Sequence, residues 1–119
     1  MNFKTSLTYI IQNKFMLPIS NSNGLFGFIN SVGDIVIAPK FYDVGLFSPQ
    51  GLALVRIDQW AECGIGYIDL LGNVVIGQKF YNGDGFTQSG LAHVIFDKTS
   101  YFLHGYIDTK GNTAIEPIF

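Results

Sequence analysis

The chain is short of the residues that most chemistry requires. Its 119 residues include one cysteine (Cys63), two histidines (His93 and His104) and one tryptophan (Trp60). A lone cysteine excludes an internal disulfide framework and fits a reducing compartment, so a cytoplasmic protein is expected. Charge is scarce as well. Asp, Glu, Lys and Arg make up 13% of the residues and balance at −2, where about twice that share is usual. Seven Lys and Arg with no basic block cannot track a phosphate backbone, so nucleic acid is not an expected partner. No apolar run reaches the ~18 residues of a membrane span. The N-terminus is no signal peptide either, because Thr5, Ser6, Thr8 and Gln12 break up Leu7, Tyr9, Ile10 and Ile11. No membrane partner is expected. Neither Cys-x-x-Cys nor His-x-x-x-His occurs, so no metal or other cofactor is expected. Nucleophile elbows, zincin helices and Ser/His/Asp orders are absent too, and the chain reads as a non-enzyme.

What remains is apolar. Hydrophobic residues make up 48% and aromatics 15%, which excludes disorder. A chain of this length buries about two-thirds of its unfolded surface and needs no staple, so residues 1–119 are expected to form one domain. Near the start, Phe3, Leu7, Ile10 and Ile11 have the spacing of one helix face, while Ile and Thr there also suit a strand. Residues 3–12 stay open between the two.

The dominant signal is internal repetition, which decides a fold before local propensity does. The segment GFINSVGDIVIAPKFYDV from Gly27 recurs as GYIDLLGNVVIGQKFYNG from Gly66 and as GYIDTKGNTAIEPIF from Gly105, with an offset of 39 each time. Residues 27–65 and 66–104 are identical at 14 of 39 positions without a gap. The boundaries that follow are an N-terminal partial unit 1–26, units 27–65 and 66–104, and a partial unit 105–119.

Each unit reads as three antiparallel strands. Phe28-Ile29-Asn30 and Ile35-Val36-Ile37 flank a tight turn in which Asn30, Asp69 or Asp108 is followed three residues later by Gly33, Gly72 or Gly111. An Asx oxygen can bond amides two residues on, and the glycine can take positive φ, so this is hairpin chemistry rather than a pair of catalytic carboxylates. A looser Gly-, Pro- and Ser-broken stretch leads to the third strand, Leu52–Ile57 or Leu91–Phe96. Serial hairpins with no helical crossover predict an all-β fold of antiparallel hairpin repeats, about three units of three strands.

The ends look complementary. Residues 105–119 lack a third strand, and Lys14–Ile19 lies one period before Ala53–Asp58. Residues 1–26 and 105–119 together make 41, close to one period. The simplest expectation is that the N-terminal strand pairs with Phe26–Asn30 on one side, joins the last hairpin on the other and so closes the assembly. An open meander with two capped ends is the alternative.

The ordered recurrence of Gly-aromatic-Ile-Asp, xxGxxVI, PxFxxxxxF and GLAxV resembles the bacterial WG-repeat (KWG) family over about residues 14–119. The naming tryptophan precedes each unit's first glycine in that family, and here Phe26, Ile65 and His104 hold those positions. The resemblance implies a β-repeat module without a shared catalytic activity. Some small stand-alone members look like partner-binding proteins, including immunity proteins of toxin systems.

Candidate function therefore lies on the surface. Low charge with many aromatics implies exposed apolar area. Positions that differ between units are free of the duty that the shared positions have to the fold. The reversal after Asp58 reads QWAECG and the equivalent from Lys98 reads KTSYFLH. Trp60, Glu62, Tyr101, Phe102 and His104 are the candidate partner-binding residues, Trp and Tyr being frequent hot spots. The competing reading folds these rings back over the open ends of the core. The expected function is binding to another protein, in its most specific form an immunity or antitoxin-like factor that covers a toxin's cleft. The alternative is a carbohydrate-binding module that stacks sugars on Trp60 or Tyr101. For His93, which stands where the preceding unit has Leu54, a tolerated or partner-facing histidine is expected rather than a catalytic base.

Overall fold

The computed structural model describes residues 15–97 and 103–118. The helix-or-strand question at residues 3–12, and Tyr101 and Phe102, lie outside them. All the regular elements among the described residues are strands: β1 (Leu17–Ser20), β2 (Phe26–Ile29), β3 (Ile35–Phe41), β4 (Asp43–Val44), β5 (Ala53–Arg56), β6 (Ile65–Ile68), β7 (Val74–Phe80), β8 (Asn82–Gly83), β9 (Ala92–Ile95), β10 (His104–Ile107) and β11 (Thr113–Ile118). Every pairing is antiparallel. The strands form three sheets ordered β1-β2-β3, β4-β5-β6-β7 and β8-β9-β10-β11. No helix among the described residues is long and apolar enough to cross a membrane.

The hairpin turns form as their residues dictate. The side-chain oxygen of Asn30 accepts from the Val32 and Asp34 amides at 3.1 and 3.0 Å. Asp69 does the same for Leu71 and Asn73, and Asp108 for Lys110 and Asn112. Gly33, Gly72 and Gly111 have φ of 91°, 88° and 85°, the left-handed conformation the turn requires. After each turn the second strand carries a bulge. Phe26 faces Phe41 while Phe28 faces Ile37, so β3 spends two extra residues around Pro39, which has no amide to offer a ladder.

The unit has one strand more than its sequence indicates. Past Phe41 the chain leaves the first sheet and, as β4, enters the second, where Asp43 faces Arg56 and Val44 faces Val55. The Tyr42 amide donates to the Arg56 carbonyl at the crossing. Tyr81 repeats the step with Ile95. The stretch expected to be loose also contains a tight turn, Ser48 to Gly51, and its copy Thr87 to Gly90, each ending in a positive-φ glycine.

Closure does not occur. β1 pairs with β2 as expected, but among the described residues the 105–115 hairpin lies in the third sheet and not in theirs. The three sheets form an open stack with extents of 53 × 34 × 16 Å. The physical reason is local. β1 reaches β2 through a short turn in which the Asn21 side chain accepts from the Asn23 and Leu25 amides and Gly24 takes φ 78°. Pairing with β2 uses one edge of β1, and at the other Pro18 offers no amide for a hairpin to join. That turn is three residues shorter than its counterpart after β5, so Ile19, not Met16, holds the place of Val55 opposite a unit's first glycine.

Two cores lie between the sheets. Phe28, Ile37 and Phe41 of the first sheet bury against Ala53, Val55 and Ile68 of the second, joined by Met16. Ile65, Tyr67, Ile76 and Phe80 of the second sheet bury against Ala92, Val94 and Ile107 of the third. A loop phenylalanine completes each core: Phe47 lies 4.7 Å from Phe28 and Phe86 lies 5.0 Å from Tyr67, between ring centroids.

Candidate functional site

The reversal between β5 and β6 carries Trp60 and Glu62. The Ile57 and Asp58 amides both donate to the Gly64 carbonyl, which closes the loop. The Asp58 carboxylate accepts from the Trp60 amide at 2.9 Å and the Ala61 amide at 3.2 Å. A β-carbon at Gly64 would collide with the Asp58 carbonyl, so only glycine closes the loop this tightly. The Cys63 thiol donates to the Phe96 carbonyl at 3.8 Å and ties the loop to the third sheet. On this anchored frame Trp60 is 88% exposed. The expectation that it folds back over the core fails at this ring. Glu62 is exposed on the same loop.

His104 belongs to a different feature. It stands on β10, half-buried, and its Nδ1 lies 2.7 Å from Nε2 of His93 on β9, the two rings stacked at 12°. The other nitrogen of His93, Nδ1, lies 3.0 Å from the Asp84 carboxylate. A carboxylate accepts, so His93 Nδ1 donates in its contact with Asp84. Tyr106 lies 5.6 Å from His93 by ring centroid. The His93–His104 pair was missed in the sequence because two histidines eleven residues apart show no motif. Their contact is diagonal, set by the β9–β10 register that puts His93 opposite Tyr106 and His104 opposite Ile95. The histidines bond to each other and the Cys63 thiol to a carbonyl.

Beneath this cluster the buried Tyr67 hydroxyl donates to the Asp84 carbonyl at 2.7 Å. Burial, and secondarily the Asp84 charge, raises the Tyr67 phenol well above its ordinary value. Among the described residues no group of three or more His, Cys, Asp or Glu is placed to hold a metal ion. A groove lined by Asp43, Leu54, Arg56, Ile65 and Asn82 encloses about 130 Å³, well short of the ~300 Å³ at which small-molecule pockets begin.

No curated protein and no solved structure matches the chain. The sequence profile of the WG-containing repeat matches residues 26–59 and 105–119. Residues 66–97, between the matches, repeat the strand order, turn hydrogen bonds and core positions of 27–58. The two matched segments and the unit between them share one design, which supports a WG-repeat family.

Proposed function

We propose that this WG-repeat domain works by binding another protein rather than by catalysing a reaction, with the Trp60 loop as its anchor. The observation that carries the reading is a tryptophan 88% exposed on a loop fixed by four hydrogen bonds. An ordered loop leaves little conformational freedom to lose on binding, and an indole brings large apolar area with few rotatable bonds. Glu62 beside it supplies a charge for the rim of the contact. Tyr101 and Phe102, at the equivalent reversal of the next unit, are proposed as further contacts. The finer reading is an immunity or antitoxin-like factor in a bacterial cytoplasm, where a rigid sheet stack covers a toxin's cleft. It rests on the family resemblance.

The test is affinity capture from the native cell with the wild-type chain and Trp60→Ala, read by mass spectrometry. A partner held one-to-one by the wild type and lost with Trp60→Ala at unchanged melting temperature supports the reading. Equal capture by both chains removes Trp60 from the interface. Ring-dependent binding to an oligosaccharide array without a protein partner would replace it with the carbohydrate-binding alternative.

A further inference from the structure

Inside the chain each sheet meets the next through one recurring contact. A β-carbon at Gly72 would stand 3.1 Å from Ile37 Cγ2, and one at Gly111 would stand 3.1 Å from Ile76 Cγ2. Turn glycines thus sit on the isoleucine of the preceding hairpin, which is a member of the buried core. The two outer faces of the stack hold the unmatched halves of this contact. On the third sheet Ile115 pairs with Tyr106 as Ile76 pairs with Tyr67. Yet Ile115 is 46% and Tyr106 38% exposed, against 2% and 0% for the inner pair. On the first sheet Leu17, Ile19 and Ile29 hold the register of Ala53, Val55 and Ile68. Leu17 is 59% exposed, and nothing lies within 4 Å of where a β-carbon on Gly33 would stand.

We infer that copies of this chain associate head to tail, with Ile115 and Tyr106 of one copy packing on Gly33, Leu17 and Ile19 of the next. The occupant follows from the chain itself: each outer face carries the complement of the other, as two interior interfaces already demonstrate. Such a contact is heterologous and does not close after two copies, so further copies add at the free ends. Leu17 is bulkier than the fully buried Ala53 and Ala92 that hold its place inside the chain. The contact between copies is therefore looser than those within, and reversible. His93 and His104 replace the aliphatic Leu54 and Ile65 on the third sheet's face. Three of their four ring nitrogens are already bonded to each other or to Asp84, which lets the face be covered without stranding them. Edge pairing is disfavoured. Pro18 has the register of Leu54, whose carbonyl bonds away from β6, so the outer edge of β1 lacks an amide at its middle. Faces meet, and edges do not.

Sedimentation velocity on the full chain tests this across the micromolar range, with Leu17→Glu and Ile115→Glu as variants. Both side chains are exposed in the single chain, so neither change should move the melting temperature. The wild type should rise with concentration beyond the mass of two chains. Each variant alone should stay at the mass of one chain, because one of its faces is blocked. An equimolar mixture of the two should double to a two-chain mass and stop there, since the intact faces are complementary. Tyr106→Glu in place of Ile115→Glu should give the same pattern if the latter folds poorly. A wild type that stays at one chain's mass, a variant that still assembles alone, or a mixture that does not double would each overturn the inference. Trp60→Ala should assemble as the wild type does, which separates this surface from the partner-binding loop.

Discussion

Gly72, in the turn of the second hairpin, rests on Ile37 of the first, so closely that a methyl group there would press on the isoleucine at 3.1 Å. Thirty-nine residues later Gly111 rests on Ile76 in the same way. One glycine thus does two things. It takes the positive φ that reverses the hairpin, and it lets that turn seat itself on the neighbouring sheet. Gly33 has the same φ and nothing beneath it.

Substitution by alanine should separate these two roles. Gly33→Ala should lose about 1–2 kcal/mol, the strain of a β-carbon in the left-handed region. Gly72→Ala and Gly111→Ala carry that strain and also displace Ile37 or Ile76, so both should lose more. Urea unfolding of the three variants gives the order. Equal losses at all three would show that seating the turn contributes nothing.

The equivalent isoleucines should report the open end of the stack. Ile76→Ala removes a side chain that is 2% exposed and should cost about 2–5 kcal/mol. Ile115→Ala, at the same repeat position but 46% exposed in the single chain, should cost less than about 1 kcal/mol at protein concentrations too low for association. Equal losses would mean that the third sheet's outer face is covered within one chain.

Tyr67→Phe should destabilise by about 1 kcal/mol, because the Asp84 carbonyl loses its buried donor. The same hydroxyl sets an alkaline limit. Its pKa is raised by folding, so its stabilising effect is complete below the ordinary value of 10. Above that pH the unfolded chain ionises first and stability falls. In Tyr67→Phe that fall, followed by thermal unfolding from pH 8 to pH 11, should be shallower. An unchanged slope would show that Tyr67 does not contribute.

Trp60→Ala should weaken partner binding by on the order of 2 kcal/mol while leaving the melting temperature within error, since the ring makes no part of either core. Calorimetric titration and a thermal melt of one preparation decide both halves. A large drop in melting temperature would return the ring to a structural role.

Much of this molecule is legible from the chain because its determinants are local and repeated. An Asx residue followed by glycine three positions later specifies a hairpin turn wherever it occurs, and the three turns form as Asn30, Asp69 and Asp108 predict. Alternating apolar residues name the core, and the 39-residue period establishes that the same sheet is built again. β4 and β8 escape notice because a two-residue strand has no periodicity; only pairing with β5 or β9 defines it.

What the chain could not decide is where its equivalent pieces end up. Counting residues placed the N-terminal strand beside both Phe26–Asn30 and the last hairpin; the first pairing forms and the second does not, because Pro18 leaves the outer edge of β1 without an amide at its middle. Burial is the other quantity that only the tertiary structure resolves. Ile37, Ile76 and Ile115 are the same residue in the same motif, yet two are buried and one is exposed, because a repeat's core face is covered by the unit after it. The His93–His104 contact is likewise a product of strand register. Sequence determined the unit; stacking determined which copies of each residue form the core and which form the surface.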